Sequence, residues 1–393
     1  MEMITFGQAC ETVLKSAFGT GTERVPFIDS LNRILACDIT SDMDMPPFNK
    51  ATVDGFACRK ADLAAELEIV ETIAAGKQPE KAVGEMQCSR IMTGAAVPDG
   101  ADMVFMVEDS LVLPSGKVKF TASFTKENIS IRGENIKIGD SVLKPGKLIR
   151  PQDIAVMASV GCTSVIVSKM PRVAVLSSGD ELVEPSEKPG IAHIRNSNAY
   201  QLMAQVHLAG AHGKYYGIAR DDEEETYELV KYAISESDIV LITGGVSMGD
   251  FDFVPSVLEK AGVKILFSRV NVQPGKPTTF GVHQKSLVFG LPGNPVSSFI
   301  QFEMLVRPLI SLMMGYKLKP VTIPLAMKDS FSRKSSDRQA FIPVFITKDG
   351  LVSPVEYHGS AHISALSLAD GIISLQVGKK SIEKGEIVNV RQV

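Results

Sequence analysis

The chain predicts a multidomain α/β plus β protein organised around one mostly parallel sheet with helices on both faces, and three observations support this. At 393 residues it exceeds what one hydrophobic core organises, so two to four domains are expected. From about residue 170 to 316, strand-like runs alternate with amphipathic helical runs, the pattern of a covered parallel sheet. Before and after that stretch the apolar runs are short and end in turn residues, which indicates separate β-rich domains.

The elements follow in order. Thr5-Phe6-Gly7-Gln8 has the form of a capping box, and Ala9, Val13 and Ala17 then recur at helical spacing. After Pro46-Pro47, short alternating runs punctuated by Asp99-Gly100 and Ser115-Gly116 predict a small β domain to about Asp140. Segment 151–167 reads as a helix, a glycine turn and a strand that returns the chain to the N-terminal element. PRVAVLSSGDEL gives a strand ending in a polar turn, and Asn196 to Leu208 a helix with Tyr200, Met203 and Val206-His207 on its apolar side. Strand YYGIARDD, helix EEETYELVKYAISES, strand DIVLITGGVSMGD, helix FVPSVLEKAG, strands VKILFSRV and SLVFGLPGNP, and a long helix from Pro295 complete the α/β region. From about Lys317 the strands are short, with Asp349-Gly350 as a hairpin turn, and a small β-barrel is expected. The domain division is 1–46 with 141–168, then 47–140 inserted, 169–316, and 317–393.

Composition excludes several classes. Lys plus Arg number 41 against 45 Asp plus Glu, a net charge of −4 without long runs of one sign, so no nucleic-acid-binding face is expected. The first residues are polar where a secretion signal needs an apolar run, and Glu303 and Arg307 interrupt one of the most apolar stretches, so no membrane span is expected. Cys10, Cys37, Cys58, Cys88 and Cys162 are odd in number and form no C-x-x-C pair, which points away from zinc fingers and disulfides and toward a reduced, cytoplasmic protein. The histidines lack metal-ligand spacing; His193, His207, His212 and His283 read as surface or packing residues.

The chemistry is expected on one sheet edge, because loops leaving the carboxyl ends of parallel strands share it and ligands bind there. In order these loops are Ser177-Ser178-Gly179-Asp180-Glu181, Arg220-Asp221-Asp222, Gly244-Gly245-Val246-Ser247-Met248-Gly249-Asp250-Phe251-Asp252, Gln273-Pro274-Gly275-Lys276-Pro277 and Pro292-Gly293-Asn294-Pro295-Val296-Ser297-Ser298. The glycine-rich loop offers backbone N–H groups, and Asn294 as N-cap with Pro295 at the first helical position presents free N–H groups to an anion. Lys276 adds a positive charge. The carboxylates Asp180, Glu181, Asp221, Asp222, Asp250 and Asp252 would repel phosphate unless a cation lay between them, so an acidic cluster beside an anion cradle implies Mg²⁺ and phosphate-ester or phosphoanhydride chemistry. Taken singly these features have plainer readings: Asp180-Glu181 as a cap, Arg220-Asp221-Asp222 as a solvated turn, the glycines as ordinary turns, Lys276 as a solvated lysine.

These loops, with two upstream motifs, resemble the molybdopterin molybdenumtransferase family (MoeA and the related E domain of gephyrin). Pro47-Phe48-Asn49-Lys50-Ala51-Thr52-Val53-Asp54-Gly55-Phe56-Ala57 is similar to that family's P-x-F-x-x-S-A-M-D-G-Y-A, and Ile91-Met92-Thr93-Gly94-Ala95 to its I-x-T-G-A. SSGDEL, RDD, TGGVSMGDFD, PGKP, GLPGNPVSS and the C-terminal GSAHISALSLADGI extend the similarity over nearly the whole chain. The resemblance implies an elongated segmented domain, an inserted β domain, a molybdopterin-binding type α/β domain and a C-terminal barrel. It implies molybdenum insertion into adenylylated molybdopterin, giving molybdenum cofactor and AMP. It also implies a homodimer whose site is shared, with Asp54 and Thr93 from the partner subunit. Glu181, Asp221 and Asp252 would hold Mg²⁺ or the phosphates. Gly244, Gly245, Ser247, Gln273, Lys276, Pro292, Asn294, Pro295, Ser297, Ser298, Arg338 and Ser360 would face the substrate or the oxyanion. A pterin adenylyltransferase and molybdoenzyme maturation proteins are implied as partners.

Three departures stand out. Gln273 replaces the first lysine of the family's K-P-G-K-P; the basic stretch appears shortened as Asn135-Ile136-Lys137-Ile138-Gly139-Asp140; and Asp337-Arg338-Gln339-Ala340-Phe341-Ile342-Pro343 keeps only the first arginine of G-R-x-x-F-x-R. A neutral Gln273 suggests weakened molybdate binding or substitution by Arg269. Two other functions compete: an adenylyltransferase sharing this α/β domain, and a catalytically weakened scaffold. The flanking domains and the VDGFA motif favour insertion, and retention of Asp54, Glu181, Asp221 and Asp252 together favours a working site.

Overall fold

The computed structural model describes residues 2–393 except Asp221, 246–253, Lys285, 357–358 and 360–361. Helix α1 (Phe6–Lys15) opens with the capping box: the Thr5 hydroxyl accepts the Gln8 N–H at 3.3 Å and the Gln8 side chain accepts the Thr5 N–H at 2.9 Å. Its buried Ala9 and Val13 pack into the α/β core, so this helix joins the third region in space although sequence grouping puts it with the first. The remainder of the first segment pairs with the stretch after the insertion. Strand Thr22–Pro26 lies antiparallel to Ser164–Ser168, Ile39–Thr40 pairs with Ser141–Leu143, and helix α2 (Pro151–Ser159) helps close a core of Leu35, Ile39, Ile149, Met157 and Val165.

The insertion forms a six-stranded sheet in the order Met103–Met106, Gly55–Cys58, Gln87–Ile91, Glu66–Ile73, Val118–Phe120, Ser110–Val112. Period-two alternation sends Phe56 and Cys58 to one core and Ala57 to another, as the pleat requires.

The α/β region contains β1 (Arg172–Ser178), β2 (His212–Ala219), β3 (Ile239–Thr243), β4 (Lys264–Phe267), β5 (Thr279–Val282) and β6 (Leu287–Leu291), in spatial order β2-β1-β3-β6-β5-β4. The pairs β1–β2, β1–β3 and β3–β6 are parallel; β5, which the sequence does not announce, makes the last two pairs antiparallel. Because β5 reverses direction, β4 again runs with β6, and the loop between β4 and β5 reaches the same carboxyl edge. Helices α1, α3 (Asn198–Leu208), α6 (Pro295–Gln301) and α7 (Arg307–Met313) cover one face, and α4 (Glu223–Glu236) with α5 (Val254–Lys260) the other. The inward side of α3 is Ala199, Leu202, Gln205 and Val206; Tyr200, expected there, is 48% exposed and reaches Glu184 instead.

A π-turn at Phe302–Val306 links α6 and α7 into one stretch, Pro295–Met313, long and apolar enough to cross a membrane by composition. It is 78% buried inside the fold, as a core helix. Within it the buried Glu303 accepts hydrogen bonds from Arg307 and Gln205, each at 2.8 Å.

The C-terminal strands Thr322–Ala326, Gln339–Ile346, Val352–Pro354, Gly371–Leu375 and Ile387–Gln392 close into a barrel. A bridge between Met327 and Val352 joins the first to the third, and the Lys328 N–H donates to the Val352 carbonyl at 2.9 Å. Strand Val272–Gln273 leaves the α/β sheet and pairs in parallel with Gln339–Ile346, so Gln273 stands opposite Ala340.

Candidate active site

Two backbone loops meet at the carboxyl edge, and Gly244 and Gly245 are required there by their positive φ and the space around them. A Cβ on Gly244, which has φ +96°, would lie 2.2 Å from the Ser178 carbonyl oxygen. One on Gly245 would meet Val254 at 2.8 Å, and one on Gly293 would come within 3.6 Å of the Gly244 Cα. The Gly244 N–H donates to the Leu291 carbonyl at 3.2 Å. The loops after β3 and β6 are therefore in contact.

A residue the sequence leaves unremarked holds them together. Asn198, at the start of α3 and 9% exposed, donates both protons of its amide: to Thr243 Oγ1 at 2.9 Å and to the Gly293 carbonyl at 2.7 Å. The Thr243 hydroxyl donates onward to the Pro292 carbonyl at 3.2 Å. The only hint in the chain is the polar run Asn196-Ser197-Asn198 where a helix begins.

Asn294 is the N-cap of α6 and Pro295 its first residue, as the motif requires. The Asn294 side chain makes no capping bond and remains exposed; the Asn294 backbone carbonyl accepts the Ser298 N–H at 3.0 Å. Ser297 and Ser298, expected to face the oxyanion, are 3% and 0% exposed, so what this turn offers the open edge is backbone. Among the described residues the Ser298 hydroxyl finds no hydrogen-bond partner.

The third loop is fixed from beneath. Fully buried Gln301 donates to the Pro274 carbonyl at 3.1 Å, and the Thr278 hydroxyl donates to the Gly275 carbonyl at 2.7 Å. A Cβ on Gly275 would fall 2.4 Å from the Gln301 amide nitrogen. Lys276 and Gln273 are exposed on this rigid loop. Arg338, half-buried, precedes the strand that pairs with Gln273, so the barrel brings a guanidinium-bearing residue next to the loop. The Arg269 carbonyl accepts the Ile4 N–H at 3.1 Å.

The acidic residues divide. Glu181 is exposed and its carboxylate folds back over Gly179, within 2.3 Å of where a Cβ there would lie. Asp222 caps α4 by accepting the Glu225 N–H at 2.8 Å, the plainer of its two readings. Arg220 spans from β2 to the carbonyls of Asp180 and Leu182, each at 3.4 Å. Behind Glu181, the Ser177 hydroxyl donates to Asn196, whose amide donates to the Tyr215 hydroxyl at 2.9 Å; Tyr215 and Tyr200 then donate to Glu184 at 2.7 and 2.8 Å. Burial and the Glu184 carboxylate push the Tyr215 hydroxyl pKa well up. Asp221, Ser247, Asp250, Asp252 and Ser360 lie outside the described residues; among those described, no group of three or more His, Cys, Asp and Glu side chains is arranged to hold a metal.

Asp54 and Thr93 meet on the inserted domain. Asp54 Oδ1 accepts the Thr93 N–H at 2.6 Å and the Thr93 hydroxyl at 2.7 Å. Those two bonds, the backbone one first, with Arg90 nearby, hold the Asp54 carboxyl below its ordinary 3.8. Gly55 follows because a Cβ would be 1.9 Å from the Phe105 carbonyl oxygen. The two cores of this domain share no residue with the α/β cores, so within one chain the Asp54–Thr93 pair and the sheet edge rest on different cores.

An α/β edge built from glycine turns, a proline-led helix start and a lysine-bearing loop, flanked by a segmented domain and a barrel, defines a multidomain protein whose polar loops converge on one sheet edge. Residues 4–161 match the MoeA N-terminal region (domain I and II), 174–311 the probable molybdopterin binding domain, and 327–393 the MoeA C-terminal region (domain IV). The chain is 36% identical over 400 residues to a molybdopterin molybdenumtransferase of Staphylococcus epidermidis, spanning 98% of this chain and 95% of that protein. It is also 36% identical over 373 residues to one of Staphylococcus aureus, spanning 92% and 88%. Two crystal structures of the molybdopterin biosynthesis MoeA protein from Pyrococcus horikoshii superpose with TM-scores of 0.84 and 0.86 at 31% and 28% identity, each covering 100% of this chain and 99% and 100% of theirs. The chain belongs to the molybdopterin molybdenumtransferase family, and it is a transferase.

Proposed function

We propose that this transferase inserts molybdenum into the dithiolene of adenylylated molybdopterin, with water cleaving the phosphoanhydride to release molybdenum cofactor and AMP. The observation that carries the reading is the clasped pair of loops: Asn198 joins Thr243 to Gly293, so two sets of backbone groups are held side by side on the sheet edge where the Lys276 loop also emerges. Molybdate is a dianion, which suits backbone donors and a lysine and not carboxylates. Exposed Glu181, with Asp221 and Asp252, would hold Mg²⁺, which supplies charge neutralisation at the phosphates. Asp54, kept ionised by Thr93, would approach from a second copy of the chain, which accounts for its place on a separate core. The working form is then a homodimer in the cytoplasm.

The test incubates the protein with adenylylated molybdopterin, Mg²⁺ and molybdate, following AMP and pyrophosphate. Molybdate-dependent AMP release is expected. Pyrophosphate release from ATP and unadenylylated pterin would identify an adenylyltransferase instead, and neither product would mark a scaffold.

A further inference from the structure

The inserted domain carries a cavity of about 570 Å³, within the size range of about 300–1,000 Å³ typical of small-ligand sites. Phe48, Ala96 and Val97 form apolar walls, and Lys77, Glu80 and Asp99 stand on its polar rim. The Phe48 ring is 40% exposed although it belongs to an otherwise structured motif. The walls are preformed. Glu71 accepts the N–H groups of Glu80 and Lys81 at 3.1 and 3.2 Å, and the Lys81 ammonium donates to the Val70 carbonyl at 2.8 Å. On the other side the Val97 N–H donates to the Asn49 carbonyl at 2.8 Å. Among the described residues, no hydrogen bond or ion pair engages the Glu80 or Asp99 carboxylates.

Its position relative to Asp54 is informative. Residues 49–51 run antiparallel to 95–97, with Ala51 N–H to Ala95 O at 3.0 Å and a bridge between Lys50 and Ala96. This short ladder has the Asp54–Thr93 pair at one end and the cavity at the other. Six residues separate Phe48 from Asp54, at most about 3.4 Å each, so the two points are no more than about 20 Å apart. A span of that size is within the length of one elongated substrate.

We propose that this cavity is a ring subsite holding the pterin end of the substrate, with Phe48 against the ring face and Asp99 and Glu80 accepting from its edge; this deepens the function proposed above and rests on it. A pterin presents an amino group beside a ring N–H, two adjacent donors that a carboxylate accepts together. An adenine edge alternates donor and acceptor and offers no such pair. Charge-assisted hydrogen bonds of this kind are roughly twice as strong as neutral ones, which is why carboxylates and not amides are informative here. Aromatic faces stack on flat heterocycles whatever their edge, so Phe48 supplies affinity and the carboxylates supply the choice of ring.

The test titrates the full-length protein into 6-hydroxymethylpterin and follows the pterin fluorescence. Saturable quenching is expected, weakened at least about fivefold by Asp99→Asn and by Phe48→Ala, both surface changes whose thermal unfolding should match wild type. Saturating AMP should not displace the pterin. Displacement by AMP would overturn the choice of ring, and unchanged affinity in both variants would put the pterin elsewhere. A wild-type protein that releases AMP from adenylylated molybdopterin but does not bind the free pterin would overturn the subsite and leave the function standing. Because binding is read without turnover, a failed AMP assay with this variant pattern intact would instead count against the function alone.

Discussion

Replacing Asn198 with alanine removes the clasp between the two anion loops while leaving every group proposed to touch the oxyanion in place. Two donated bonds disappear, to Thr243 Oγ1 at 2.9 Å and to Gly293 O at 2.7 Å. A typical net contribution is about 0.5–1.5 kcal/mol per bond. Gly293 is exposed, so water replaces part of its share, and about 1–2 kcal/mol remains for holding the loops in register. If that energy fixes the cradle, the molybdate concentration for half-maximal AMP release should rise about five- to thirtyfold. Asn198→Asp should do more damage, because it keeps the shape but turns the donor toward Gly293 into an acceptor. Thr243→Val, which breaks the clasp from the other side, should not add to Asn198→Ala in the double variant. The assay is AMP release against molybdate at saturating adenylylated pterin, with thermal unfolding alongside. A lowered midpoint of unfolding with unchanged molybdate dependence would show that Asn198 serves packing alone, and the reasoning would be refuted.

Further predictions follow from individual contacts. Thr93→Val removes the hydroxyl donor to Asp54, so the carboxyl, now held below 3.8, should titrate closer to that value. A depressed folded pKa favours the native state above the unfolded value and loses that effect as pH falls through the folded one, so the variant should lose its Asp54 charge sooner on acidification. Carbon-detected NMR titration of Asp54 reads this, and an unmoved titration would refute it. Gly244→Ala forces a Cβ to 2.2 Å from Ser178 O at φ +96°, which should cost about 1–3 kcal/mol in denaturant unfolding and abolish molybdate-dependent AMP release; a fully active, equally stable variant would contradict the packing. Burial raises the Cys10 thiol to about 11 and those of Cys58 and Cys88 to about 12, and it raises that of Cys162 as well, so at pH 8 a disulfide reagent should react first with half-exposed Cys37. Reaction at all five in the native protein would contradict that.

The parts of this molecule that declare themselves in sequence are those governed by local rules. Thr5 and Gln8 form a capping box because the pairing needs only a fixed spacing, and Asn294-Pro295 starts a helix for the same reason. Alternation of strand and helix announces the sheet, and direction at the carboxyl edge then gathers the loops. Strand Thr279–Val282 was not legible, since four residues that include a glycine carry too little pattern, and its presence changes two pairings from parallel to antiparallel. Helix α1 has a clear apolar face, but no local signal says which core that face enters. The same holds for Arg391, which reaches from the last strand to donate to the Glu303 carbonyl at 2.7 Å. Asn198 carries no signal in sequence, because one asparagine at a helix start is ordinary and its two acceptors come from loops distant along the chain. Asp54 and Thr93 are brought together in sequence only by family resemblance; their hydrogen bonds supply the physical reason.

In the proposed dimer the sheet edge of one chain works with the Asp54–Thr93 pair of the other, an arrangement that subunit mixing reads out. Asp54→Asn and Lys276→Ala variants, each nearly inactive alone, are co-expressed with different tags and the doubly tagged species isolated. A dimer carrying one change on each chain keeps one intact site and spoils the other completely. Molybdate-dependent AMP release is expected at about half the wild-type rate per dimer, against almost none for either parent. Activity that stays at the level of the parents, or a protein that works as a monomer, would contradict it.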